Sequence, residues 1–183
     1  MCYIKHMNIL YKITIILGVL FLLYHVVLHR LTKVPITITP KKYYKNLFAN
    51  FDFKDNLIFY ELGCGWGDFM FAVNKLSRPK KTIGYELSLI HVLFIKTKSF
   101  LTKSNIEVKN KNFFHTDLSD GDIFYLFLVK PVVKKAWEKI KKECQPGTIV
   151  ITLADKIDGA EYLKKIPSNP KNPKTSYFYI YKV

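Results

Sequence analysis

The chain has 183 residues, enough for one domain of about 150 residues with a real core plus one extra element, so a second domain is excluded. Its 29 Lys and Arg against 14 Asp and Glu give a formal net charge of +15, which points to an anionic neighbour such as nucleic acid or an acidic membrane surface. Abundant Lys, Asn, Ile, Phe and Tyr also mark an AT-rich coding sequence, so a compositional origin of the charge stands beside the functional one. Cys2, Cys64 and Cys144 show neither paired nor metal-ligand spacing, which indicates no disulfide framework and no zinc site and fits a reducing compartment.

Residues 9–28, ILYKITIILGVLFLLYHVVL, form an apolar run with one Lys near its start and one His near its end. At about 1.5 Å per residue the run spans about 30 Å of hydrocarbon. A cleaved signal peptide and a buried helix are the competing readings. The segment His29-Arg30-Leu31-Thr32-Lys33 offers no small residues for cleavage, so a retained transmembrane anchor over residues 1–33 is expected, contacting the lipid bilayer through 9–28. Lys12 is placed to snorkel, and Tyr11 and Tyr24 suit the interfacial belts. Lys5 and Lys12 precede the run, whereas Arg30, Lys33, Lys41, Lys42 and Lys45 follow it, which puts the following domain, residues 34–183, in the cytoplasm.

Pro35-Ile36-Thr37-Ile38-Thr39-Pro40 reads as an extended connector, because each proline restricts the residue before it. Thr39 is the expected N-cap and Pro40 the first residue of a helix over 41–50 that buries Tyr44, Leu47 and Phe48.

The stretch LIFYELGCGWGDFM, residues 57–70, reads as a buried strand, a tight loop and a helix start. Gly63, Gly65 and Gly67 let the backbone turn and approach a ligand without Cβ interference. Asp68 is the expected cap of a helix with Phe69, Phe71, Ala72, Val73 and Leu76 inward. The loop lacks the Gly-Lys-Ser/Thr that cradles a nucleoside triphosphate. It has Asp68 where a dinucleotide fold wants its third glycine, an anion at the pyrophosphate position. Two acids remain: Glu61, two residues before the first glycine, and Glu86, which closes the second strand, 81–87, and is placed to accept from both ribose hydroxyls. The ligand so described has a ribose and no phosphate.

The form Glu61-x-Gly63-x-Gly65-x-Gly67, followed by Glu86 at the end of the second strand, resembles the class I S-adenosylmethionine-dependent methyltransferases. The resemblance covers about residues 57–153 and implies S-adenosyl-L-methionine as cofactor. It implies a Rossmann-like seven-strand sheet, mostly parallel, with helices on both faces and an antiparallel carboxyl-terminal strand. It nominates Glu61, Gly63, Cys64, Gly65, Gly67, Glu86 and Leu87 for the cofactor site.

Further along, Ser88 caps a helix to about residue 103 with an inward stripe of Leu89, Ile90, Leu93, Phe94, Thr97, Phe100 and Leu101. His91, among apolar residues, reads as a packed histidine. A third strand follows at 106–109. In the methyltransferase plan an acid or amide after that strand bonds the adenine amino group; Asn112 holds the place, with Phe113 set to lie against the ring. A turn at 117–121 leads into a buried strand at 123–128, then a helix at 132–144, a strand at 148–153 and an aromatic strand at 177–181.

Pro35-x-x-x-Thr39-Pro40 before a short helix and behind a membrane span, together with Asp117-Leu118-Ser119 before an apolar strand, resembles a narrower family. These are the small membrane-anchored lysine methyltransferases that modify the ATP synthase c subunit and the adenine nucleotide translocase. That resemblance implies Thr39, and less directly Tyr43, over the cofactor pocket, Asp117 as the catalytic candidate, and a membrane-associated protein substrate. The fourth strand ends in Leu128-Val129-Lys130-Pro131 rather than the Asn/Asp-Pro-Pro-aromatic of base-amino methyltransferases. An RNA methyltransferase with a basic surface, and a cofactor-binding membrane scaffold, remain as alternatives.

Overall fold

The computed structural model describes Cys2–Thr32 and residues 39–183 except Pro173, with side chains of the first helix described over 8–27 and at Arg30. Apart from Thr39 and Pro40, the connector expected at 35–40 lies outside the described residues, as does Lys33. The chain divides into two compact units, Met1–Ile36 and Thr37–Val183.

The first unit contains one helix, α1 (Cys2–Thr32). Within it Asn8–Val27 has a mean hydropathy of 2.1 over 20 residues, none of it buried. That segment is long and apolar enough to cross a bilayer, and a signal sequence near an amino terminus would meet the same description.

The second unit alternates strand and helix: α2 (Lys41–Asn50), β1 (Ile58–Leu62), α3 (Asp68–Ser77), β2 (Lys81–Tyr85), α4 (Leu89–Thr102), β3 (Ile106–Lys109), a short 3-10 helix (Phe113–His115), β4 (Ile123–Leu126), α5 (Lys130–Glu143), β5 (Ile149–Leu153), β6 (Lys164–Pro167) and β7 (Tyr177–Lys182). One seven-stranded sheet runs in the order β3-β2-β1-β4-β5-β7-β6. The first five strands are parallel, and β7 is antiparallel to both β5 and β6. The expected mixed Rossmann-like sheet is therefore present.

Side-chain alternation along the strands builds two apolar layers. Phe59, Ile123, Tyr125, Ile151 and Phe178 face one way, under α2, α3 and α4. Tyr60, Leu62, Phe124, Leu126 and Tyr181 face the other, under α5 and the 3-10 helix. On that second face Tyr60 stacks on Tyr85 at 6.0 Å and on Phe124 at 5.2 Å. Every residue of both layers lies between Tyr43 and Val183, so the second unit carries a complete core of its own.

Several local expectations change. The α3 cap is Gly67, whose φ of +74° is left-handed, and Asp68 enters the first turn instead, pairing with Lys98 at 3.6 Å. Leu76, expected inside, is exposed. Thr39 does not cap α2: Pro40 holds that position, and the Thr39 hydroxyl turns inward. Helix α5 starts two residues early because Pro131 sits in its first turn, where no N–H is needed. Strand β6 is an added element that its sequence, KKIP, does not announce.

The largest change is in α4. Ser88 caps it as expected, accepting from His91 N–H, but the buried residues are His91, Val92, Ile95 and Ser99. The expected inward stripe faces out, with Leu89, Leu93, Phe94, Phe100 and Leu101 all exposed. Two side-chain anchors choose this rotation. The Ser99 hydroxyl bonds to the carbonyls of Ser104 (3.0 Å) and Ile106 (3.2 Å), and Ile95 packs where a Cβ on Gly67 would lie only 3.0 Å from it.

Gly121 tests the packing of the second face. A Cβ there would fall inside contact distance of the Phe124 ring and 2.9 Å from Tyr60, both fully enclosed. Gly121→Ala is expected to destabilise the domain by about 1–3 kcal/mol, through overpacking. Urea unfolding that leaves the midpoint unmoved would show that the stack yields more readily than its burial implies.

Candidate active site

The strand order reverses between β1 and β4, and in open α/β sheets ligands bind at such a point, beyond the carboxyl ends of the strands. The loop after β1 occupies it. Gly63, Gly65 and Gly67 have φ of +78°, +50° and +74°, a region that L side chains rarely adopt, so the three alternate glycines are a backbone requirement. Gly63 N–H and Cys64 N–H both donate to the Tyr85 carbonyl, at 2.9 and 3.1 Å, and Gly67 N–H closes the turn on Cys64 at 2.7 Å.

Glu86 follows β2 directly. One of its oxygens accepts from Gly65 N–H at 2.8 Å and the other from Ser88 N–H at 2.8 Å. Its carboxylate is thereby fixed beside the glycine loop, with lone pairs left over on both oxygens. Asn110, which the sequence reading missed, donates to the Glu86 and Leu87 carbonyls at 2.9 and 3.0 Å, tying the start of the next loop to the same point. Asn112 and Phe113 follow on that loop. The Asn112 side chain accepts from Phe114 N–H at 3.0 Å, capping the 3-10 helix, and Phe113 is buried in the second apolar layer.

Glu61 lies within β1, one residue before its end, in register with Gly84 on one side and Tyr125 on the other. It is buried, accepts from Met70 N–H at 3.0 Å, and its carboxyl is pushed well above the usual range, chiefly by burial. Next to it Tyr125, fully buried, shares a 3.0 Å hydrogen bond with the Thr39 hydroxyl, and its ring lies 4.0 Å from that of Phe69. Burial also raises the Tyr125 phenol and the Cys64 thiol, so both stay protonated near neutral pH.

Thr39, Glu61, Gly63 and Cys64 line one narrow cleft together with Asp68 and the rings of Trp66, Phe69 and Phe127. Among the described residues the cleft is lined by two acidic side chains, three aromatic walls and no basic side chain. That lining suits a cationic, partly apolar ligand: a cation beside Glu61 favours its ionised form, and ring faces attract the charge further once water is displaced. S-adenosylmethionine, with a sulfonium and an ammonium group, has that chemistry, and the fixed Glu86 suits its ribose. Tyr125, Trp66 and Phe127 were not singled out in the sequence. A lone hydroxyl in the otherwise apolar run IFYLFL was the signal available for Tyr125, since a buried phenol needs a partner.

Asp117 is not part of this cluster. Its carboxylate accepts from Ser119 N–H at 2.9 Å in an Asx turn, which holds it below the usual carboxylate range, and it is exposed. The adjoining Leu118 is bonded to Glu143 and Cys144 at the carboxyl end of α5, and Asp122 is bonded to Ile58 at the start of β1. The turn therefore sits where the strands begin, and the cleft sits where they end. This corrects the expected catalytic placement.

A family described as the ANTKMT methyltransferase domain matches residues 61–163, more than half of the 183-residue chain. A protein-lysine N-methyltransferase of Saccharolobus islandicus (strain REY15A) is 29% identical over 153 residues, which cover 80% of this chain and 93% of that protein. The structure of an RNA methyltransferase from Salinibacter ruber in complex with S-adenosyl-L-homocysteine superposes with a TM-score of 0.72 at 17% identity, covering 80% of this chain and 94% of that one. A SAM-dependent methyltransferase from Aquifex aeolicus gives 0.59 at 14% identity, covering 76% and 88%. At these identities the two structures establish a shared fold.

The buried Glu61 has a measurable signature. Its folded pKa lies above its ordinary value of 4.5, so its stabilising contribution is complete below that value and is lost as pH rises through the folded pKa. Glu61→Gln should remove that loss. Denaturant melts without methyl donor are expected to show the variant gaining on the parent as pH increases; parallel stability curves would mean that Glu61 is ionised and compensated in the free domain.

Proposed function

We propose that this chain, which belongs to the ANTKMT methyltransferase domain family, methylates lysine side chains of membrane-associated proteins while α1 holds it to a bilayer. The chain is an S-adenosyl-L-methionine-dependent methyltransferase. The acceptor, the anchor and the residue roles are the proposal. The observation that carries it is the acid-and-aromatic cleft at the end of β1 in a chain that also holds a 20-residue apolar helix. The lysine assignment is supported by the name of the Saccharolobus relative.

When bound, S-adenosylmethionine supplies an electrophilic methyl group on sulfur. In this reading Glu86 accepts from the ribose hydroxyls, held for the purpose by Gly65 and Ser88. The backbone of Gly63, Cys64, Gly65 and Gly67 gives close approach, Leu87 and Asn112 border the adenine side, and Glu61 faces the ammonium end. Phe113 contributes from beneath as packing. Thr39 and Tyr125 close the cleft above Phe69, and Trp66 and Phe127 exclude water from the acceptor. A lysine amine, with a pKa of about 10.4, must lose its proton before it attacks. That proton passes to solvent before the amine enters the cleft.

The anchor directs the substrate. About a dozen residues separate the apolar run from α2; 29–32 continue α1 at about 1.5 Å each, and with the rest at the extended limit of about 3.3–3.6 Å the reach is roughly 35 Å at most. Acceptor lysines within that distance of the bilayer are met at high effective concentration. The lysine and arginine excess after the run supports a domain on the cytoplasmic side.

Two experiments test this. Calorimetry with S-adenosylmethionine should show binding abolished by Gly65→Val and weakened by Glu86→Ala, which removes hydrogen bonds worth about 0.5–1.5 kcal/mol each; unchanged affinity in both would refute the site. With labelled methyl donor, the full chain should label solubilised membrane proteins, and deletion of residues 1–29 should sharply lower labelling of membrane-embedded acceptors while cofactor affinity holds. Label found in RNA and never in protein would turn the assignment to the basic surface.

A further inference from the structure

Helix α4 is apolar on two sides, and only one of them is used by the core. Val92, Ile95 and Ser99 face the sheet. Leu93, Phe94, Phe100 and Leu101 form a second stripe that is exposed, with Phe100 83% and Leu101 73% exposed. Scattered exposed leucines are ordinary, but a stripe along a 14-residue helix is a contact surface. Its charge is one-sided: α4 carries no acidic residue, whereas Lys96 and the following Lys103 are exposed and share a shallow depression with Phe100, Leu101 and Ile106.

We propose that this face of α4 docks the catalytic domain onto the surface of an anionic phospholipid bilayer. An open apolar stripe flanked by lysines is the layout of a helix lying in a membrane interface, with its rings among the acyl chains and its amines at the phosphates. The other occupants fit worse. Two copies joined about a two-fold axis would bring Lys96 and Lys103 against the same lysines with no acid on either helix. A nucleic acid would use the lysines but leave four large apolar side chains in water.

The stripe is continuous with the active site. Phe94 meets Trp66 edge-on at 5.1 Å, and Trp66 lines the cleft. A domain resting on α4 would hold the cleft's rim beside the lipid surface, which restricts acceptors to lysines at that level. This goes further than tethering by α1, which sets a radius but no orientation.

The test separates docking from anchoring. Residues 37–183 contain the whole core, so this fragment can be used without α1. It should co-sediment with vesicles of phosphatidylcholine and phosphatidylglycerol and more weakly with pure phosphatidylcholine. Leu93→Glu, Phe100→Glu and Leu101→Glu together should lower partitioning about tenfold or more, since all three are exposed and the fold does not use them. Lys96→Glu with Lys103→Glu should erase the preference for the anionic lipid. A second readout uses the full chain in vesicles: brominated lipid should quench Trp66 emission, and the triple variant should be quenched less. Vesicle binding unaffected by the triple variant, equal quenching of both proteins, or a stripe-dependent dimer that ignores vesicles would each overturn the proposal. Failure of the anchor reading would leave the fragment's binding intact.

Discussion

The Glu86 carboxylate is the fixed point of the site. Its two oxygens take the N–H groups of Gly65 and Ser88, so one side chain joins the middle of the glycine loop to the residue that starts α4. Both bonds are to a charged acceptor, and both donors belong to backbone that would otherwise need water. Ser88 in turn caps α4, and the Glu86 N–H and carbonyl are bound to Lys109 and Asn110. Three consecutive connections, at the ends of β1, β2 and β3, thereby meet at one residue, its carboxylate holding the first two together and its backbone tying in the third. The loop that must approach a ligand closely is rigid before any ligand arrives, so little ordering cost remains for binding.

Glu61 solves a different problem. It stands in a row with Gly84 and Tyr125 on a face that is largely apolar, and is the buried carboxyl group of that row. Gly84 leaves room there for the sulfurs of Met70 and Cys64. Tyr125 supplies a hydroxyl already bound to Thr39. A buried carboxyl is costly, and this one lies in the cleft lining, where Met70 N–H supplies a hydrogen bond.

How much of this was legible depends on range. The apolar strand at β1, the alternate glycines and the helix over Lys41–Asn50 follow from local pattern, and so does Ile106–Lys109, whose bounds are those expected. Glu61, Gly63 and Cys64 come together in one cleft, and Gly65 with Glu86, because they sit at the ends of adjacent strands, and Thr39, before α2, joins the cleft beside its partner Tyr125. What failed was decided at a distance. Two apolar stripes on α4 cannot be ranked by periodicity, and the anchoring by Ser99 and Ile95 involves β3 and Gly67. Gly67 takes the cap from Asp68 because only glycine holds that left-handed turn cheaply; the acid then sits in the first turn, where the helix dipole still favours it. Asp117 was placed by motif, and the topology puts its turn at the far end of the strands. The pairing that makes β6 a strand is with β7, ten residues later, and leaves no mark in KKIP itself.

Strand β6 also bears on how the domain survives as a separate particle. It is the last strand of the sheet, and a sheet edge is where another chain can pair; at this edge Asn46 of α2 already donates to the Pro167 carbonyl. It is only four residues long, opens with Lys164 and Lys165, and ends on Pro167, which has no N–H to offer. Lys165 lies over the Tyr177 ring at 3.8 Å, keeping its charge beside the edge. A protein concentrated on a surface would meet its own copies far more often than one in solution. A short, lysine-bearing, proline-ended margin lets copies of this sheet crowd together without fusing into a longer one.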